Sequence, residues 1–187
     1  MVIGFGDLHR GVAVELDGAP HKVEEYSQQK MQQRAPTYHL KLRNLVTGQL
    51  VERSFSGYGM RLTRAPVTNR TAQYLYEDDS LYFFMDTATY DQYPVARTVV
   101  GDAVNYLVDQ AEVSLVFWKD AVVAIELPTT VTLEVTEAPP GYRGDTATAG
   151  TKPATVETGL SVNVPMFISA GDKVKVDTRN GTYVERV

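Results

Sequence analysis

The chain contains no cysteine. A disulfide framework, a thiolate metal site and a cysteine nucleophile are therefore excluded, and a reducing compartment fits. Histidine is scarce: His9, His21 and His39 lie far apart and lack carboxylates at metal-ligand spacing. They read as strand histidines, exposed or half-buried, and no metal is expected. No apolar run approaches the ~20 residues of a membrane span. The opening stretch from Met1 to Arg10 has no basic region followed by an apolar one, so it does not read as a signal peptide. A cytoplasmic location without membrane partners is expected. There is no Gly-x-Ser-x-Gly elbow, no phosphate-loop lysine motif and no dinucleotide fingerprint. The acidic turn Glu77-Asp78-Asp79 lacks the ligand spacing of a calcium loop and reads as a solvated hairpin. Nothing in the sequence points to an enzyme, a catalytic residue or a cofactor.

What is present is ordinary for a globular chain: 187 residues, 43% hydrophobic and 22% charged. This length allows one to three small domains. The net charge of −5 speaks against a simple phosphate-binding protein. Its distribution is uneven. Residues 1–64 carry 9 basic and 6 acidic side chains, residues 65–127 carry 3 and 10, and residues 128–187 carry 6 and 7. The first third can attract nucleic acid and the middle third repels it.

Short alternating runs dominate. Tyr38, Leu40 and Leu42 alternate with His39, Lys41 and Arg43, and Val131, Leu133 and Val135 alternate with Thr132 and Glu134. Period two means strands with one buried face. Asp17-Gly18, Thr47-Gly48, Ala170-Gly171 and Asn180-Gly181 supply turns. The pattern predicts an all-β chain of small barrels. A single helix is expected, Ala103 to Gln110 capped by Asp102, with Val104, Leu107 and Val108 on one face. Pro66 and Pro128 mark boundaries, giving segments 1–64, 65–127 and 128–187. The first two are expected to share an interface. Tyr74, Tyr76, Phe83 and Trp118 read as mainly core aromatics of the middle segment.

Two loops interrupt the pattern. Residues 27–36, Ser-Gln-Gln-Lys-Met-Gln-Gln-Arg-Ala-Pro, form a polar loop with two cations between two strands. It exceeds the usual two to five residues of a hairpin loop. It reads either as a mobile surface hairpin or as an arm that reaches into a partner. The second runs from Ala138 to Pro153 and is rich in small residues and glycine, which allow close backbone approach to a ligand. A disordered linker has the same composition.

That second loop continues as Lys152-Pro-Ala-Thr-Val-Glu-Thr-Gly159, then Val162-Asn-Val-Pro165 and Ile168-Ser-Ala-Gly171. This resembles the signature of bacterial elongation factor P. The family pattern is Lys-x-Ala, Gly five residues after the Ala, an aliphatic, Val-Pro, another aliphatic and Gly, and every fixed position matches. Tyr74-Leu-Tyr76 before the acidic turn, Phe84-Met-Asp86, and Thr89-Tyr90 before Gly101-Asp102-Ala103 look like the family's second domain. Lys41-Leu-Arg-Asn44 with Thr47-Gly48 looks like its first, and Lys175-Val-Asp-Thr-Arg179 before Gly181-Thr-Tyr183 like its third. The resemblance covers essentially the whole chain.

The resemblance implies a KOW/SH3-like barrel, residues 1–64 with tip loop 27–36, followed by two OB-fold-type barrels in an L-shaped arrangement that mimics transfer RNA. It implies a monomer that binds the ribosome between the peptidyl and exit sites and positions peptidyl-tRNA. There it promotes peptide-bond formation at consecutive prolines. No residue of its own need be catalytic, because positioning lowers the entropic part of the barrier. The family tip is usually Lys-Pro-Gly-Lys-Gly, or has Arg at the fourth place, and that fourth residue is often modified by a dedicated enzyme. Here ungapped counting puts Lys30, Met31, Gln32 and Gln33 at those four places, followed by Arg34. Gln33 cannot accept a lysine or arginine modification. The tip therefore acts unmodified through Gln33 and Arg34, or shifts by one residue so that Arg34 takes the fourth place. Gly144, Asp145 and Thr146 match the family loop that approaches the exit-site codon. Lys41 and Arg43 are expected to face RNA phosphates. A paralogue with a separate ribosome-binding, RNA-binding or regulatory role is the alternative that the unusual tip leaves open.

Overall fold

The computed structural model describes residues 1–30, 35–57, 59, 61–140 and 150–187. Its first six strands are β1 (Val2–Gly4), β2 (Ala13–Leu16), β3 (Ala19–Gln29), β4 (Thr37–Asn44), β5 (Leu50–Ser56) and β6 (Arg61–Arg64). They form one antiparallel sheet in the order β1-β6-β2-β3-β4-β5. The period-two pattern of β4 decides its faces: Tyr38, Leu40 and Leu42 are buried, while His39, Lys41 and Arg43 point away. Val14, Val23 and Leu62 complete that core with Ile3, Leu8 and Val12. Asp17 and Gly18 both take positive φ, at 52° and 74°, which closes the two-residue β2–β3 turn.

Next come β7 (Thr68–Asp78), β8 (Leu81–Asp86), β9 (Gln92–Ala96), β10 (Glu112–Trp118) and β11 (Ala121–Glu126), in the sheet order β11-β10-β7-β8-β9. The final five are β12 (Thr130–Glu137), β13 (Thr151–Val156), β14 (Ser161–Pro165), β15 (Lys173–Asp177) and β16 (Thr182–Arg186), in the order β14-β13-β12-β15-β16. β14 and β16 also pass beside each other, so this sheet curls toward a closed barrel. The all-β expectation holds.

By internal packing the chain forms two units, residues 1–70 with 115–124, and residues 71–114 with 125–187. In the first unit the β10–β11 hairpin end supplies Val116 and Val123 to a small core with Leu45, flanked by Ala13, Val67 and Trp118. This gives the expected interface between the first two segments. In the second unit Tyr106 is buried among Leu133, Val135, Val156, Val164, Ile168 and Val176. Thr158 Oγ1 donates to the Asn105 carbonyl at 2.6 Å beside it.

Three expectations are corrected. The helix begins earlier and is shorter: α1 spans Arg97–Val100 and continues as a 3-10 turn over Gly101–Tyr106. Asp102 lies inside that turn and caps nothing through its side chain. Gly101 at φ 55° breaks the helical path, and Leu107 is already extended. The loop expected at 27–36 starts three residues later, because Ser27, Gln28 and Gln29 pair with His39, Tyr38 and Thr37. Tyr76 is not a core residue: it is 50% exposed and stacks on Phe83 with centroids 4.7 Å apart.

Candidate functional site

The long β3–β4 ladder runs from the pair His21–Asn44 to the pair Gln29–Thr37. β5 accompanies it to the end, pairing Ser56 with Thr37, so the arm is three strands wide. Gly57 N donates to the Pro36 carbonyl at 3.0 Å and pins the returning chain. Toward the Gln29–Thr37 end, Phe5 meets Tyr38 at 4.6 Å and Tyr26 edge-on at 5.7 Å. Lys30 follows the last residue of β3 and is exposed. Met31, Gln32, Gln33 and Arg34 lie outside the described residues.

The outward face of this ladder carries the expected RNA cations, and each already has an anionic partner. A bulge between Val23 and Glu25 inserts one extra residue into β3. Two consecutive carboxylates thereby reach two alternate cations of β4. Arg43 Nε donates to Glu24 at 2.8 Å, and Lys41 Nζ to Glu25 at 3.4 Å. Arg10 approaches the other oxygen of Glu24 at 3.8 Å. Arg10 and Glu25 are open to water, Lys41 and Arg43 partly so and Glu24 least, at 21%, and pairs that solvent reaches are weak and exchangeable. Glu24 and Glu25 were missed at the sequence level. The available signal was the Glu-Glu doublet lying opposite Lys-x-Arg in the next strand. A depression of about 260 Å³ on this arm is lined by Glu25, Ser27, His39, Lys41, Glu52 and Ser54. His39 Nδ1 and Ser54 Oγ are hydrogen-bonded there at 2.9 Å. Lys41 and His39 thus occupy one polar face, and Arg43 is two residues further along β4.

Gly144, Asp145 and Thr146 lie outside the described residues. The base of their loop is described. Lys152 is 7% exposed, and its Nζ donates to the Pro139 carbonyl at 2.7 Å, tying the two ends of the loop together. The remaining signature positions are core and turn residues. Ala154, Val162, Val164 and Ile168 are buried, and Gly159 and Gly171 take φ of 83° and 89°, where a side chain is strained. The signature is a folding pattern.

At the far end of the same barrel Arg179 grips Asp177 with Nε at 3.0 Å and a second nitrogen on the other oxygen, while its backbone N–H donates to Oδ1 at 2.9 Å. The Arg179 hydrogen bonds hold the Asp177 carboxyl down at about 2, against slight opposition from burial. Gly181 N closes the turn on the Asp177 carbonyl at 2.9 Å. Among the described residues no three His, Asp or Glu side chains gather as a metal-ion cluster. No helix among them is long and apolar enough to cross a membrane.

Three family models match successive stretches of the chain. The family model for the elongation factor P KOW-like domain matches residues 5–58, that for the elongation factor P OB domain matches 67–125, and that for the elongation factor P C-terminal domain matches 131–186. Elongation factor P of Synechococcus sp. (strain JA-3-3Ab) is 46% identical over 185 residues, covering 99% of this chain and 100% of that protein. Elongation factor P of Carboxydothermus hydrogenoformans is 42% identical over 186 residues and covers both chains in full. Among solved structures, translation initiation factor 5A from Methanococcus jannaschii matches with a TM-score of 0.47 at 16% identity, covering 68% of this chain and 92% of its own. A KOW-like module joined to an OB module and a third β-module defines an all-β translation factor. The chain belongs to the bacterial elongation factor P family, and is a translation elongation factor.

Proposed function

We propose that this elongation factor binds the ribosome between the peptidyl and exit sites and holds the acceptor end of peptidyl-tRNA in a reactive geometry. It thereby relieves stalling at consecutive prolines. The observation that supports this reading is the three-strand arm, in which β3, β4 and β5 stay paired to the last residue before the exposed Lys30. Proline restricts its own backbone and slows peptide-bond formation, and a stiff positioning arm offsets that cost by ordering the reactants. The ribosome supplies the chemistry, so the factor works without a catalytic residue or cofactor.

In this reading Lys30, Met31, Gln32, Gln33 and Arg34 form the tip beside the peptidyl-transferase centre. Lys41 and Arg43 exchange their carboxylate partners for RNA phosphates. Gly144, Asp145 and Thr146 approach bases from the third segment, 128–187. The partners are ribosomal RNA, ribosomal proteins and peptidyl-tRNA, and the factor acts as a monomer in the cytoplasm. With glutamine at the fourth tip place, the tip acts unmodified. An added mass on Arg34 in the intact native protein overturns that point and implies a modifying enzyme.

The test is translation of a polyproline reporter with and without the purified native protein. Relief of stalling is expected, and Arg34→Ala should weaken rescue more than it weakens ribosome binding. Ribosome binding without relief would instead favour a paralogue with a separate regulatory role, a reading favoured by the Gln33 substitution.

A further inference from the structure

The outer face of β7–β8–β9 is the place where the middle segment departs from an ordinary barrel wall. On β8, Tyr82, Phe84 and Asp86 are buried, so Leu81, Phe83 and Met85 point outward. Their cross-strand neighbours continue the same face. Tyr76, Phe83 and Pro94 form one row, Asp78, Leu81 and Ala96 the next, and Gln73, Met85 and Gln92 the one behind. The bulge between Tyr74 and Tyr76 keeps Tyr76 on this side. The result is a contiguous apolar strip, with Tyr76 50% and Leu81 38% exposed, and two rings stacked within 18° of parallel. A barrel wall facing only water has no need of such a strip.

Its surroundings are strongly acidic. Between residues 71 and 114 there are eight carboxylates, and Arg97 is the single basic residue. Asp78 stands in the face itself, and Asp79 and Asp91 occupy the turns at its ends. This charge decides between occupants. A nucleic-acid strand would bring phosphates against carboxylates, and a second copy of the chain would bring carboxylates against carboxylates. A basic polypeptide meets both demands: its guanidinium groups lie on the Tyr76 and Phe83 rings and pair with the rim acids. β9 is an edge strand, but Pro94 removes a ladder donor from it, so the visitor lies across the face instead of adding a strand.

We propose that the β7–β8–β9 face is a docking surface for an arginine-rich protein segment. The surface goes beyond the positioning role proposed above, and the two fail separately. Peptide binding without polyproline rescue leaves this surface standing, and rescue without peptide binding removes it.

The test is titration of the native full-length protein, labelled with nitrogen-15, with a short arginine–glycine repeat peptide at low and moderate salt. Amide shifts should concentrate at Tyr76, Asp78, Leu81, Phe83, Met85 and Ala96. Tyr76→Ala, at an exposed position, should weaken binding about fivefold. Asp78→Asn should weaken it and reduce its salt dependence. The matching lysine–glycine peptide should bind more weakly, since lysine lacks the planar stacking group. Shifts scattered over all carboxylates, native-like affinity in both variants, or tighter binding of an oligouridylate than of the peptide would each overturn the proposal.

Discussion

The arm of the N-terminal sheet and the signature segment of the C-terminal barrel treat their cations in opposite ways. Lys152 is sunk to 7% exposure and spends its ammonium on a backbone carbonyl. Lys41 and Arg43 are partly open to water, and each faces a carboxylate that solvent also reaches. The first arrangement is expensive to undo, because a buried polar group without its partner loses its full hydration. The second costs little to undo, because a phosphate can replace the carboxylate. The buried lysine belongs to the motif that marks the family, and the exchangeable cations belong to the region proposed to touch RNA. Residues that identify the chain are those that fold it, and the cations proposed to touch RNA are held loosely.

The largest expected effect lies on the folding side of this contrast. Ile168 is fully buried in the C-terminal core. Ile168→Ala removes buried methyl groups and leaves a cavity, and should cost about 2–5 kcal/mol. Urea unfolding followed by tyrosine and far-ultraviolet signals checks it, since Tyr106 and Tyr183 pack in that core. A loss under 1 kcal/mol, on the order of a surface change, would mean that the barrel repacks freely and that the signature is not a folding pattern.

Lys152 sharpens the comparison. Lys152→Ala strips both the buried stem and the bond to Pro139, and should cost about 1–3 kcal/mol. Lys152→Met keeps most of the stem and loses only the donor. If Met restores nearly all stability, packing holds the loop base; if it behaves like Ala, the hydrogen bond does. Equal stability of all three proteins would place this lysine with the exchangeable cations of the arm.

Most strands were legible because one face of each is buried. β4 shows this: Tyr38, Leu40 and Leu42 alternate with His39, Lys41 and Arg43 in the sequence and are the buried residues of the strand. Legibility failed where the alternation had a physical reason to break. β13 carries Lys152 at an inward position and Pro153 beside it, so a core strand reads as a polar linker. β9 hides behind Pro94 at a sheet edge. The last residues of β3, Ser27 to Gln29, are all polar, so no hydrophobic alternation announces them although Gln28 lies opposite the buried Tyr38. The site was legible as residue types and not as pairings. Lys41 and Arg43 were visible, whereas Glu24 and Glu25 become their partners only through a bulge that leaves no mark in a single strand. The exposed Tyr76–Phe83 stack was hidden for the opposite reason, because aromatics in a β pattern resemble core.

A pH titration separates a tight pair from the loose ones. Asp177 has its carboxyl held at about 2, below its ordinary 3.8, chiefly by the Arg179 hydrogen bonds. A carboxyl depressed in the folded state stabilises above its unfolded value, and the contribution disappears as pH falls from about 4 to about 2. Native protein should therefore lose stability across that window, and Asp177→Asn should flatten this part of the profile. An unchanged acid limb in the variant would show that Asp177 and Arg179 are as weakly coupled as the pairs on the arm.

The smallest effect tests the arm itself. Glu24 accepts from Arg43 at 2.8 Å and lies 3.8 Å from Arg10, so it screens two cations at once. Glu24→Gln keeps the shape and an acceptor oxygen but removes the charge. Because the pair is solvated, unfolding free energy should move by less than about 0.5 kcal/mol. Ribosome binding should respond differently. With one carboxylate gone, Arg43 approaches phosphate without first shedding an anion, and affinity should rise roughly twofold at low salt with a steeper salt dependence. At high salt the gain should vanish, since screening reaches exposed pairs first. A variant that is equally stable and binds ribosomes no better at any salt concentration would place Arg43 away from RNA. The bulge that carries Glu24 would then serve only the sheet.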